Sequence, residues 1–154
     1  PYHSRVRTIL FICTGNTCRS PMAEAIARDL LDHGQVPGKG REVFVASAGL
    51  AAWDGSPVSR ETMATLDRLG IDFDGSSKRL TPEMIRKADF VLGMTRAHVI
   101  AARAMVGGER HAEKVQPVDL AGDLEDPIGQ GQGAYDALAE RLQRVLPGRL
   151  QELL

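Results

Sequence analysis

The most reactive side chains in this sequence stand within eight residues, Cys13-Thr14-Gly15-Asn16-Thr17-Cys18-Arg19-Ser20. A thiol opens the segment, a guanidinium nearly closes it, and Gly15 and Asn16 between them tolerate left-handed backbone. A loop that turns this way points its N–H groups inward and makes an anion-sized concavity. A dianionic phosphoryl group suits such a loop, held by the amides, by the dipole of a following helix and by a two-pronged Arg19. The same positive surroundings favour the Cys13 thiolate, the form that attacks phosphorus. Ser20 can donate a hydrogen bond to that sulfur, first stabilising it and later easing its departure. This reading makes Cys13 the nucleophile and Arg19 the oxyanion clamp, with Thr14, Gly15, Asn16, Thr17, Cys18 and Ser20 as the binding loop. A bare Cys-x5-Arg match recurs by chance, with an inert thiol and a surface arginine; the length and setting of this one argue against that.

The flanking elements position the loop. Thr8-Ile9-Leu10-Phe11-Ile12 is a continuous apolar run that suits a strand buried on both faces, and it ends at Cys13. Ser20 can cap a helix with Pro21 at its first position and Met22, Ile26 and Leu30 along one face. Further on, Glu42 to Ser47 reads as a strand, Val58 to Leu69 as a helix stopped by Gly70, and Thr81-Pro82 as the start of a helix through Ala88. Phe90 to Gly93 is a second buried strand, Thr95 caps a helix running to about Met105, and Lys114 to Pro117 is a last short strand. Tyr135, Leu138, Leu142, Val145 and Leu146 mark a final amphipathic helix. Strands alternating with helices predict an α/β fold, a three-layer sandwich with a central four-stranded parallel sheet and the phosphate-binding loop after the first strand. Ligands in such sheets sit beyond the carboxyl ends of the strands, where the loops after Ile12, Ser47 and Gly93 converge.

Composition narrows the function further. The 154 residues are 43% apolar, enough for one core, and the expectation is a single domain over residues 1–154. Twenty acidic against nineteen basic residues leave a net charge of −1, which gives no bulk attraction to nucleic acid or to an anionic membrane. The longest apolar-leaning stretch, Val43 to Trp53, is about half of a membrane span, and the basic N-terminus lacks a signal-peptide pattern. A cytoplasmic monomer is therefore expected. Cys13 and Cys18 have no His or Cys cluster beside them, so neither a metal nor another cofactor is expected. Cys18 itself has three readings: a filler thiol, a resolving partner for oxidised Cys13, or half of a permanent bridge that would inactivate the nucleophile.

The segment from Cys13 through Ser20 to Pro21-Met22-Ala23-Glu24 closely resembles the signature of the low-molecular-weight protein tyrosine phosphatases and their bacterial protein arginine phosphatase relatives. The likeness extends to Ser47-Ala48-Gly49, to Ala88-Asp89-Phe90-Val91-Leu92 with Met94 after it, and to the late pair Asp126-Pro127. An Asp-Pro pair alone is an ordinary turn. The resemblance implies that Asp126 is the proton donor to the leaving group, rather than Asp123 or Glu125, neither of which precedes a proline. It also implies a substrate. Tyrosine phosphatases of the family usually carry an aliphatic residue where this chain has Thr17, and often aromatics where it has Ile128-Gly129-Gln130-Gly131. Thr17 and the Asp-Pro-hydrophobic-Gly pattern look like the arginine phosphatase subgroup, in which acidic company suits a guanidinium leaving group. Trp53 falls where the family forms another pocket wall and could stack on a phenyl or a guanidinium group.

The expected activity is thus a cysteine-dependent protein phosphatase acting on phosphoarginine through a cysteinyl-phosphate, with phosphotyrosine the alternative and phosphorylated proteins the partners. Arsenate reduction on the same scaffold passes a disulfide to later cysteines, and none follows Cys18. A non-catalytic phosphate-binding module would have lost the thiol or the acid, and both are present. Many family members carry a histidine after the second helix that supports the loop asparagine; Phe73 to Lys78 has none, and Ser76 or Ser77 is the expected substitute. His3, His33, His98 and His111 read as scattered surface residues without a catalytic role.

Overall fold

The computed structural model describes residues 6–36, 42–107 and 110–154; His3 lies outside them. Four strands, β1 (Arg7–Cys13), β2 (Val43–Gly49), β3 (Phe90–Gly93) and β4 (Val115–Pro117), form one sheet in the order β2-β1-β3-β4. Every neighbouring pair is parallel. The apolar run in β1 is explained by its central place. Ile9, Phe11 and Cys13 face one layer, containing α1 (Arg19–Asp32), α2 (Arg60–Arg68) and α5 (Gln132–Leu153). Leu10 and Ile12 face the other, built on α3 (Pro82–Lys87) and α4 (Arg96–Met105). The three layers agree with the sequence expectation. Chain order reverses direction across the sheet between β1 and β3, which opens a crevice beyond their carboxyl ends.

Local chemistry explains most element boundaries. Ser59 caps α2 by accepting from the Thr62 N–H, so the helix starts after Val58 rather than at it. Gly70, in the left-handed region at φ 73°, stops it as expected. Thr81 and Thr95 cap α3 and α4. Ser20, however, is not a cap: α1 begins at Arg19 with Cys18 at the capping position, and Ser20 lies inside the helix with its hydroxyl turned back into the preceding loop. A 3₁₀ turn over Arg110–Lys114 precedes β4 and takes up the first residue of the expected strand.

α5 starts three residues before Tyr135 and continues through Pro147 to Leu153. Proline removes one bond of the helical ladder, and the residue whose carbonyl loses its partner, Gln143, is exposed to water. Burial of Leu146 and Leu150 holds the segment in place, as do bonds from Arg149 to the Val118 carbonyl (3.1 Å) and the Pro117 carbonyl (2.8 Å). A second brace lies between α1 and β2. Buried Glu24 accepts from the Ser47 hydroxyl and from Arg28, both at 2.6 Å. Among the described residues, no helix is long and apolar enough to cross a membrane.

Candidate active site

The loop from Thr14 to Cys18 fills the mouth of the crevice between β1 and α1. Asn16 is its one non-glycine residue in the left-handed region, with φ 57°, and its side chain is buried. The Asn16 Nδ2 donates to Ser20 Oγ at 2.8 Å, while Oδ1 accepts from the Lys78 N–H at 2.9 Å. The backbone of Lys78 therefore does what was expected of Ser76 or Ser77. Ser77 instead accepts from the Ser56 N–H at 2.9 Å and donates to the Trp53 carbonyl, tying down the loop after β2. Gly15 does not take a positive φ, and a Cβ placed on it would meet only Thr17 Oγ1 at 3.8 Å. The left-handed turn belongs to Asn16 alone.

These anchors place the thiol. Cys13 Sγ lies 2.8 Å from Ser20 Oγ and accepts from the Asn16 N–H at 3.3 Å. An ionised sulfur has no proton to give, so in the thiolate form the Ser20 hydroxyl donates to it. Arg19 is buried, with Nη1 donating to the Leu124 carbonyl at 3.0 Å and Nη2 3.6 Å from Asp126 Oδ2. The structure thus brings Asp126, from a loop more than a hundred residues later, to the arginine that follows the thiol loop. The Asp126 side chain is half exposed, and its Oδ1 accepts from the Ile128 N–H at 3.1 Å. Pro127 between them is buried.

Other expected site residues divide. Thr17 is half-buried, its carbonyl accepting from the Ser59 N–H at 2.9 Å. Cys18 is a free thiol, as is Cys13, so the permanent bridge is not formed. Its sulfur sits 3.5 Å from Ser59 Oγ and 3.6 Å from the Tyr135 hydroxyl, a buried group whose pKa is raised by that burial and by the neighbouring thiol. A cleft of about 740 Å³ beside Asp126 is lined by Arg19, Thr95, Asp123, Glu125 and, from α5, residues that include Arg141. The Trp53 and Ile128 side chains are 81% and 59% exposed, and neither lines the cleft beside Asp126 or joins the buried network.

His98 corrects the reading of the histidines. It is 6% exposed, its Nε2 lies 2.8 Å from Thr14 Oγ1, and its Nδ1 accepts from the Thr95 N–H at 3.2 Å. Thr95-x-x-His98 is the spacing of a helix capping box, the one signal in the sequence that could have found it. Burial first, then the Arg19 cation, push its pKa down to about 4 against the opposing pull of Asp123 and Asp126. His33 is exposed, as expected, and His111 half-buried.

A parallel α/β sheet with a buried thiol, serine and arginine at the carboxyl end of its central strand defines a class of cysteine-based phosphatases. Residues 8–154 match the low molecular weight phosphotyrosine protein phosphatase family, and the chain belongs to it. It is 39% identical over 149 residues to a protein-arginine-phosphatase of Geobacillus stearothermophilus, covering 95% of each chain. It is also 37% identical over 132 residues to the low molecular weight protein-tyrosine-phosphatase YfkJ of Bacillus subtilis strain 168, covering 80% of this chain and 82% of that one. Among solved structures, the YwlE arginine phosphatase mutant with a phosphorylated active-site serine superimposes with a TM-score of 0.83 at 31% identity, over 94% of this chain and 93% of that one. The protein is accordingly a hydrolase, a cysteine-based protein phosphatase whose relatives divide between phosphotyrosine and phosphoarginine.

Proposed function

We propose that this protein removes the phosphoryl group from phosphoarginine in other proteins, with Cys13 as nucleophile and without metal or cofactor. The carrying observation is the set of three carboxylates, Asp123, Glu125 and Asp126, that outnumber Arg19 and Arg141 along a cleft with no aromatic ring in its lining. A guanidinium gains from such a set; a phenyl ring does not. Thr17 in the loop and Ile128 after the Asp-Pro pair support the same reading, as does the similarity to the Geobacillus arginine phosphatase. One observation favours phosphotyrosine: Trp53 is an exposed aromatic plate on the loop after β2, available to stack on a phenol.

Arg19 and the loop amides bind the equatorial oxygens of the phosphoryl group, and the Cys13 thiolate attacks phosphorus in line. The phosphorus–nitrogen bond breaks as Asp126 gives its proton to the leaving guanidine nitrogen. A water, deprotonated by the Asp126 carboxylate, then cleaves the sulfur–phosphorus bond and releases phosphate and thiolate, which Ser20 stabilises. The solved YwlE structure with its phosphorylated serine supports a covalent intermediate on this fold. We place the enzyme in the cytoplasm, as a monomer acting on phosphorylated proteins.

The test is the ratio of kcat/KM on phosphoarginine and phosphotyrosine peptides for wild type and Thr17→Ile, with Cys13→Ser as blank. A strong arginine preference that Thr17→Ile flattens or reverses is expected, because a methyl cannot hydrogen-bond where the hydroxyl does. A tyrosine preference untouched by Thr17→Ile would overturn the substrate assignment and leave the cysteine mechanism standing.

A further inference from the structure

Buried at the crevice, on the side of α4, is a titratable side chain to which thiol, arginine and acid leave no part in the chemistry. His98 stands in the first turn of α4, beyond β3, and spans the switch point to the residue next to the nucleophile. Its protonation is decided by its partners. Thr95 Oγ1, 3.0 Å from Nδ1, can serve either tautomer, but a backbone N–H can only donate, so the bond from Thr95 N to Nδ1 at 3.2 Å requires an unprotonated Nδ1, to which the hydroxyl then donates as well. The neutral ring then carries its hydrogen on Nε2, and at 2.8 Å that hydrogen goes to Thr14 Oγ1.

This polarity has a consequence for an anion. Thr14 Oγ1 accepts from the histidine, so its own hydrogen is left to be donated. The opposite tautomer would draw that hydrogen to the ring and turn lone pairs toward the loop. We propose that His98 is a positioning residue for phosphoryl transfer: its Nε2–H holds the Thr14 hydroxyl so that the Thr14 O–H is donated to a phosphoryl oxygen. This rests on the reading of residues 13–19 as the phosphoryl-binding loop. Burial, then the Arg19 cation, hold the pKa of the ring down to about 4 against Asp123 and Asp126, so the ring is neutral and keeps this polarity at neutral pH.

The competing role is purely structural, the capping of α4. A cycle of Thr14→Val, His98→Ala and the double variant separates the two, read by direct titration with inorganic phosphate, by kcat/KM and by the thermal midpoint. Each single variant is expected to weaken phosphate binding and lower kcat/KM about tenfold, the share of one hydrogen bond to a charged oxygen. The double variant is expected to match Thr14→Val within about twofold, since the histidine acts through that hydroxyl. His98→Gln, whose amide offers an acceptor and a donor like the two ring nitrogens, should restore most of the loss.

A lowered midpoint with unchanged phosphate affinity in His98→Ala would overturn the proposal, as would losses that multiply in the double variant. If His98→Ala does not fold, Thr14→Val decides: full phosphate affinity in that folded variant is equally fatal. The titration does not depend on turnover. Absence of phosphatase activity in the wild type would overturn the proposed function, whereas a phosphate site indifferent to Thr14 would overturn only this inference.

Discussion

Ser20 shows how little a residue's type says until its partners are known. As a serine before proline it reads as a helix cap; in the fold its hydroxyl sits between Cys13 Sγ and Asn16 Nδ2, at 2.8 Å from each. Cys13, Arg19 and the loop residues were legible because strand, loop and helix are contiguous, and local spacing fixes what they can do together. Asp126 was legible only through resemblance, because nothing local ties it to residue 19. Its side chain lies 3.6 Å from the Arg19 guanidinium, which is compatible with the proton-donor role proposed for it. Asp126→Asn should lower kcat on a phosphoarginine peptide by about 10²- to 10⁴-fold, the usual contribution of a general acid. On an aryl phosphate whose leaving group needs no proton, the first step should lose far less, visible as a burst of phenol release with slow turnover. Equal losses in the burst and the steady state would deny Asp126 the proton-donor role.

At the scale of elements, apolar patterning located the strands and helices, and close backbone approaches set the site. Gly49 ends β2 against the loop. A Cβ there would lie 2.5 Å from the Thr14 carbonyl and 2.9 Å from both the Asn16 nitrogen and the Ala52 Cβ. Backbone on two sides cannot give way cheaply, so Gly49→Ala should destabilise the fold by about 1–3 kcal/mol and weaken phosphate binding as well. Gly122→Ala, with nothing within 4 Å and no positive φ, is the control and should stay within about 0.5 kcal/mol in chemical denaturation. A Gly49→Ala protein as stable as the control would show that the loop can move aside. The boundaries missed in the sequence follow from the same kind of contact. α1 starts at Arg19 because the loop needs Ser20, and α5 runs through Pro147 because Leu146, Arg149 and Leu150 are buried on both sides of it.

For the molecule as a whole, the buried neutral His98 links stability to pH. Its pKa falls from 6.5 in the unfolded chain to about 4 in the fold. Between these values the unfolded chain binds a proton that the native ring does not, so stability rises with pH. The contribution is complete above pH 6.5 and is lost as pH falls toward 4, amounting to about 3 kcal/mol at the low end. Arg19, Asp123 and Asp126 are the charges that face the ring and are common to every variant compared. The difference in thermal midpoint between pH 7.5 and pH 5 should therefore be larger for wild type than for His98→Gln. Exposed His33, raised by its bond to the Asp29 carbonyl and by the Asp29 charge, acts in the opposite sense and cancels in that comparison. Equal pH dependence in the two proteins would mean that the ring titrates normally. By itself the sequence determined what short range controls: the sheet and its two layers, from apolar period, and the thiol loop, from eight consecutive residues. Only the tertiary structure decided which distant groups serve that loop. The Lys78 amide on Asn16, Asp126 beside Arg19 and His98 on Thr14 meet across 62, 107 and 84 positions of chain, and such meetings are set by how the layers pack rather than by any local pattern.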